Sequence, residues 1–396
     1  MSRLSWATRM AAVGLALTLV ACSSARDTSL RPRSGCLTGF QPGTDYFPDK
    51  MTVTDATNFT ISYHRSYQIL TVEQPYPHSP PQSYVLVRCG APAPKLTGEL
   101  AHAQQITVPV ATLYSASTTH LGMIAELGQA AVVAGVANIA NVVSPQLRQR
   151  VGAGKIVDYA PGQQINAEMV LAEHPDVLVT EGTDDAQYAK LREAGIGVIA
   201  DAEWLEPTPL GRAEWIKVFA ALTGTEQKAT AVYSQLRDNY RRLAAQASGL
   251  RAVTVLPGLM DQGTWSVPTG GDYAGRLIVD AGGSYPWSAD TRPGGLRLSF
   301  ETVFAEAGQI PLYLVTNNWK TIDDALAADS RYGELAALRT GEVWSASLAI
   351  GPDGGNDYWE RGVARPDLIL GDLVAILHPE LVPNHQFVFY RRVLPR

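Results

Sequence analysis

Across its 396 residues the chain holds three cysteines, Cys22, Cys36 and Cys89, too few for a scaffold built on disulfides. No apolar run reaches the roughly 20 residues that a bilayer-spanning helix needs. Charged residues make up 18% and the net charge is -6. With no long basic run, nucleic acid is excluded as a partner. The seven histidines (His64, His78, His102, His120, His174, His378 and His385) show no paired ligand spacing, so no metal site is expected. A Gly-x-Ser-x-Gly elbow, a phosphate-binding lysine loop and a cysteine–histidine pair are all missing, which leaves catalysis without a foothold. Neither enzymatic activity nor a resident cofactor is expected. Gly270-Gly271 and Gly351-Pro352-Asp353-Gly354-Gly355 lack a strand–turn–helix context and read as loops.

What is present begins at the N-terminus. Arg3 and Arg9 precede an apolar stretch, Met10 to Val20, of signal-peptide length. Leu19-Val20-Ala21-Cys22 resembles a bacterial lipobox. That resemblance implies cleavage before Cys22, lipidation of Cys22, and a mature chain held by its acyl chains on the extracytoplasmic face of a membrane, in the cell envelope. Cys36 and Cys89 then remain as an even pair in an oxidising compartment, and a disulfide between them is predicted. Residues 23–35 read as a tether. Residues 36–105 read as a small β-rich extension with strands at Phe59–Tyr63, Tyr67–Val72 and Tyr84–Arg88.

From Ile106 strands alternate with short helices, the pattern of a doubly wound parallel sheet. Ile106–Thr112, with Pro109 inside it, reads as an edge strand. One α/β lobe spans 106–205 and a second spans 249–378. Between them lies a long helical stretch at 206–248, interrupted at Gly224, and a short tail, 379–396, follows. One motif occurs in both lobes. Asn166-Ala167-Glu168 opens a short amphipathic helix followed by Pro175-Asp176 and the apolar run Val177–Thr180. Ser299-Phe300-Glu301 opens another, followed by Ile310-Pro311 and Leu312–Thr316. A capping residue and an acid in the first turn suit the positive end of any helix dipole. Two copies, one per lobe, also mark two matched halves.

The lipobox, the two lobes and the intervening long helix together resemble the solute-binding proteins of ABC importers. The closer resemblance is to the iron-siderophore, haem and vitamin B12 branch, whose lobes are joined by a long helix. It is carried by Ser117-Thr118-Thr119-His120-Leu121 with Ala125-Glu126-Leu127-Gly128, by Asn166-Ala167-Glu168 with Pro175–Val179, and by Ser299-Phe300-Glu301, and it covers about Ile106 to Leu377. The resemblance implies that Glu168 and Glu301 dock onto the importer's permease subunits. It also implies a monomer that carries a small metal chelate between its lobes. Residues 36–105 fall outside the family pattern.

Loops after the strands supply the candidate ligand site, because open α/β sheets bind ligands at the carboxyl ends of their strands. The candidates are Ser115, Thr118, Thr119, Tyr159, Trp204, Asp261, Trp265, Tyr273, Arg276, Asn317, Trp319, Tyr358, Trp359 and Arg361. Aromatic loops with a few polar anchors suit a flat, sizeable ligand such as a ferric siderophore, haem or a corrinoid. Arg276 or Arg361 would meet an anionic chelate, and His120 or Tyr159 would be the residues to ligate haem iron. Trp215, Trp287 and Trp344 read as packing residues. The reading from a different class is a two-lobed envelope enzyme or metallocofactor chaperone.

Overall fold

The computed structural model describes residues 35–183 and 185–395, which fall in one compact unit. Cys22, the expected signal peptide and nearly all of the expected tether lie outside them.

The β-rich extension is a four-stranded sheet. Phe59–Tyr63 pairs antiparallel with Tyr67–Val72, which pairs antiparallel with Gln82–Arg88. The fourth strand, Gln104–Val108, runs parallel to Gln82–Arg88. The strand expected to open the first lobe therefore belongs to this sheet, where Ile106 and Val108 face its core. Cys36 and Cys89 are disulfide-bonded, with their Cα atoms 4.7 Å apart.

The N-terminal lobe is a five-stranded, wholly parallel sheet. In spatial order its strands are Val157–Asp158, Val133–Val136, Leu113–Ser115, Val177–Thr180 and Gly197–Ala200. In chain order that is 3-2-1-4-5, so winding reverses between Leu113–Ser115 and Val177–Thr180. The extension borders this lobe beside the strand Gly197–Ala200. Ala200 N–H donates to Tyr84 Oη at 2.9 Å, and Val198 N–H donates to Gln104 Oε1 at 3.0 Å.

The connecting stretch is three helices: Pro209–Glu214, Ile216–Thr223 and the 23-residue Glu226–Ser248. Gly224, at φ +68°, caps the second in a left-handed conformation, and the expected interruption falls there. An earlier break at Trp215 was not anticipated.

The C-terminal lobe has a parallel core, Leu256–Pro257, Tyr313–Val315 and Val343–Ser345, with Arg391–Arg392 as an antiparallel edge. A separate antiparallel sheet, Leu259–Asp261, Thr264–Pro268 and Gly295–Ser299, was not expected. Tyr358 to Arg361, read as loop, lies within the helix Asp357–Ala364, whose cap Asn356 accepts from Tyr358 N–H at 2.9 Å.

Candidate functional site

The sheet reversal in the N-terminal lobe leaves a crevice at the carboxyl ends of Leu113–Ser115 and Val177–Thr180. Two adjoining depressions occupy it, of about 160 and 470 Å³, sharing Ala116, Ala137, Asn138, Asn141 and Glu181. Ser115 and Thr118 line the smaller, and Tyr159 and Tyr188 line the larger. Ser115 is buried and its hydroxyl is already spent. It donates to the Ser117 carbonyl at 2.8 Å and meets His120 Nδ1 at 3.0 Å. His120 is equally buried, and burial lowers its pKa to about 3, so it stays neutral. It packs on Phe219 and positions the loop. Thr119 bonds the Ser117 hydroxyl at 3.0 Å and serves the helix start rather than the crevice.

Tyr159 is different. Its ring stacks on Tyr114 at 5.3 Å, it is 1% exposed, and its buried hydroxyl has no partner within the protein. Burial, seconded by Tyr188 and Glu181, pushes this phenol well above its ordinary pKa, so it stands as a donor. Trp204 is 45% exposed beside Glu181, to whose carbonyl its indole N–H donates at 3.0 Å.

At the carboxyl ends of the other sheet lies an apolar cavity of about 220 Å³, with Gly258, Thr316, Tyr358 and Trp359 in its wall. Trp359 is 39% exposed and Tyr358 is buried. The helix that carries both also touches the N-terminal lobe. Its Glu360 accepts from Val143 N–H at 2.6 Å and from Ser144 N–H at 2.9 Å. The Gly351–Gly355 loop leans on Asn141, and Asp353 pairs with Arg148 at 2.6 Å.

Several expected site residues sit elsewhere. Trp265 is fully buried among Phe300, Tyr313 and Tyr332, its N–H spent on the Pro257 carbonyl at 3.2 Å. Trp319 is buried against the same Tyr332, at 4.8 Å. Both belong to the second lobe's core. Tyr273 is buried beneath the Arg212 guanidinium, 4.5 Å from its ring. Arg276 pairs with Asp280 at 3.1 Å and lines a depression beside the connecting helices. Arg361 pairs with Asp357 at 3.0 Å and lies over Phe389. Neither arginine lines one of these cavities, because each closes on an acid one turn away. Asp261 is exposed at a hairpin turn, and Asn317 is half-buried, its side chain turned back on Asn318 N–H at 2.9 Å. Among the packing tryptophans, Trp215 is fully buried and Trp344 packs at a tilt against Phe387, ring centroids 4.9 Å apart.

Sequence reasoning passed over Glu181, Asn138 and Asn141. The signal for Glu181 was its place directly after the apolar run Val177–Thr180. The two docking candidates are both exposed first-turn residues. Beside them Asn166 accepts from Met169 N–H at 3.0 Å, and Ser299 accepts from Thr302 N–H at 3.1 Å. Glu301 also lies 3.9 Å from Arg331. No group of three or more His, Cys, Asp or Glu among the described residues is placed to hold a metal ion.

A family model described as periplasmic binding protein matches residues 110–347, more than half of the chain and within the stretch that carried the resemblance. The chain belongs to the periplasmic binding protein family. Two uncharacterized lipoproteins of Methanocaldococcus jannaschii are similar to it. One is 28% identical over 247 residues (62% of this chain, 58% of that one), the other 24% over 249 residues (60% and 61%). The chain thus spans about three fifths of the length of these curated relatives. Among solved structures, a periplasmic binding protein from Veillonella parvula aligns with TM-score 0.52 at 15% identity, covering 68% of this chain and 92% of that one. A possible iron-binding periplasmic protein from Staphylococcus epidermidis gives 0.51 at 14%, covering 68% and 98%. A periplasmic heme-binding protein of Vibrio cholerae gives 0.50 at 19%, covering 65% and 98%. These likenesses establish the α/β fold of this family member. No helix among its described residues is long and apolar enough to cross a membrane.

Proposed function

We propose that this periplasmic binding protein is a lipid-anchored receptor of an ABC importer. It captures a metal chelate at the carboxyl ends of its two parallel sheets and delivers it to the permease through Glu168 and Glu301. The observation that carries the reading is the crevice at the sheet reversal, where the buried Tyr159 hydroxyl stands unpartnered beside Glu181. A family member with an open polar crevice in one lobe and an apolar cavity in the other suits a ligand with a polar centre and an apolar periphery. Two partly exposed indoles, Trp204 and Trp359, flank those surfaces.

Titration of the intrinsic tryptophan fluorescence with a ferric siderophore, haem and a corrinoid tests the capture step. Saturable quenching by one of them is expected, and silence from all three sinks the reading. For delivery, Glu168→Arg with Glu301→Arg should abolish uptake while leaving chelate binding intact; uptake that survives both changes removes the docking role. Cys22→Ser should release the chain from the membrane fraction.

A further inference from the structure

The charge of the three cavities is one-sided. Among the described residues lining them stand Glu181, Asp185 and Asp272, and not one lysine, arginine or histidine. Asp185 and Asp272 each spend one oxygen on a helix start, on Gln187 N–H at 2.7 Å and on Ala274 N–H at 2.9 Å. Glu181 has no such partner among its side-chain contacts, and burial together with Glu203 raises its pKa above the ordinary value. The nearby cations are engaged elsewhere. Arg361 closes on Asp357, Arg148 on Asp353, and the buried Arg212 on Glu203 at 3.0 Å.

The second observation is the Tyr159 hydroxyl, buried, unpartnered and set in the wall of the larger depression. A protonated phenol offers a hydrogen to a neutral carbonyl or hydroxamate oxygen. It brings no positive charge to balance a carboxylate or a catecholate. A trianionic or propionate-bearing chelate would lose part of its hydration against acids with no compensating cation, which is unfavourable.

We infer that the ligand of this site is a metal chelate without net negative charge, neutral or cationic, selected by Glu181 and hydrogen-bonded by Tyr159. The inference rests on the chelate-binding reading above and narrows it. The anion-binding role expected of Arg276 or Arg361 has no counterpart in these cavities.

Four probes decide it, titrated against the full chain in detergent with tryptophan fluorescence as the signal: ferrioxamine B (cationic), cyanocobalamin (neutral), ferric enterobactin (anionic) and haemin (anionic). Ferrioxamine B or cyanocobalamin should bind at least about tenfold more tightly than either anion. Glu181→Lys should weaken ferrioxamine B and strengthen ferric enterobactin, a reversal that mere damage to the fold would not produce. Tyr159→Phe, which keeps the ring stacked on Tyr114, should weaken the preferred chelate by about three- to tenfold. If an anionic chelate binds as tightly as the other two, the charge inference falls while the chelate reading stands. If none of the four binds, both fall together.

Discussion

Glu214 is the most heavily used side chain in the molecule's joint. It is fully buried and accepts from three successive backbone N–H groups, Thr54 at 2.9 Å, Asp55 at 2.6 Å and Ala56 at 2.7 Å, with Lys217 as its counter-ion. Glu206 repeats the device on Thr57 N–H at 2.8 Å and Asn58 N–H at 2.9 Å, and holds the Trp215 indole N–H at 2.9 Å. Glu214→Ala would strand three donors and a buried ammonium. A loss of about 3–5 kcal/mol is expected, read as a fall in urea midpoint. Glu360 is a second residue-scale case. Burial lifts its carboxyl from 4.5 to about 7 against the lowering effect of its two backbone donors. The folded state then holds a proton that the unfolded chain releases. The contribution of Glu360 is full below about pH 4.5 and declines as the pH rises to about 7, by up to about 3 kcal/mol. Glu360→Gln should flatten that part of the pH–stability curve, as measured by urea unfolding between pH 4.5 and 8.

At the scale of elements, two helices from different lobes meet with almost no clearance. A Cβ placed on Gly122, in the helix Thr118–Glu126, would stand 2.0 Å from the Glu360 carbonyl oxygen in the helix Asp357–Ala364. Backbone cannot yield as a side chain does. Gly122→Ala should therefore cost about 1–3 kcal/mol and speed hydrogen exchange at Val143 and Ser144, whose amides Glu360 holds. Helices that open on a capping Asp272 or Thr321 were legible in sequence, Tyr273–Asp280 and Ile322–Ala328, as was Pro366–Leu377, which opens on a proline. The helix Asp357–Ala364 was not, because the glycine-rich approach Gly351–Gly355 masked its Asn356 cap. The small antiparallel sheet escaped for another reason. Its two-residue hairpin turn is Gln262-Gly263, with φ +49° and +78°, where the recognisable signal would have been Asn-Gly. Ser115 and Thr118, read as candidates at a strand end, do line the smaller depression. Trp265 and Trp319 were misplaced because an indole that fills a core and one that faces a ligand have the same sequence signature.

For the whole molecule, the ties between lobes limit motion. Arg148–Asp353 at 2.6 Å, Arg365–Glu126 at 3.5 Å and the Glu360 bonds all cross from one lobe to the other. The helix Glu226–Ser248, about 35 Å long, runs behind them. Small-angle scattering with and without a bound chelate should accordingly give radii of gyration that agree within about 1 Å. A larger change would mean that these ties open on binding.

The loop 54–58, gripped by Glu206 and Glu214, has a mechanical consequence. Tension applied at Gly35 enters the extension's sheet at the Cys36–Cys89 link and passes through that loop to the connecting helices. Asp55 spreads the load further, to Tyr233 at 2.7 Å and Arg241 at 2.6 Å on the longest of them. A pulled chain would thus load the connecting helices and, through the Tyr84 and Gln104 bonds to Ala200 and Val198, the N-terminal lobe at once, rather than one thread alone.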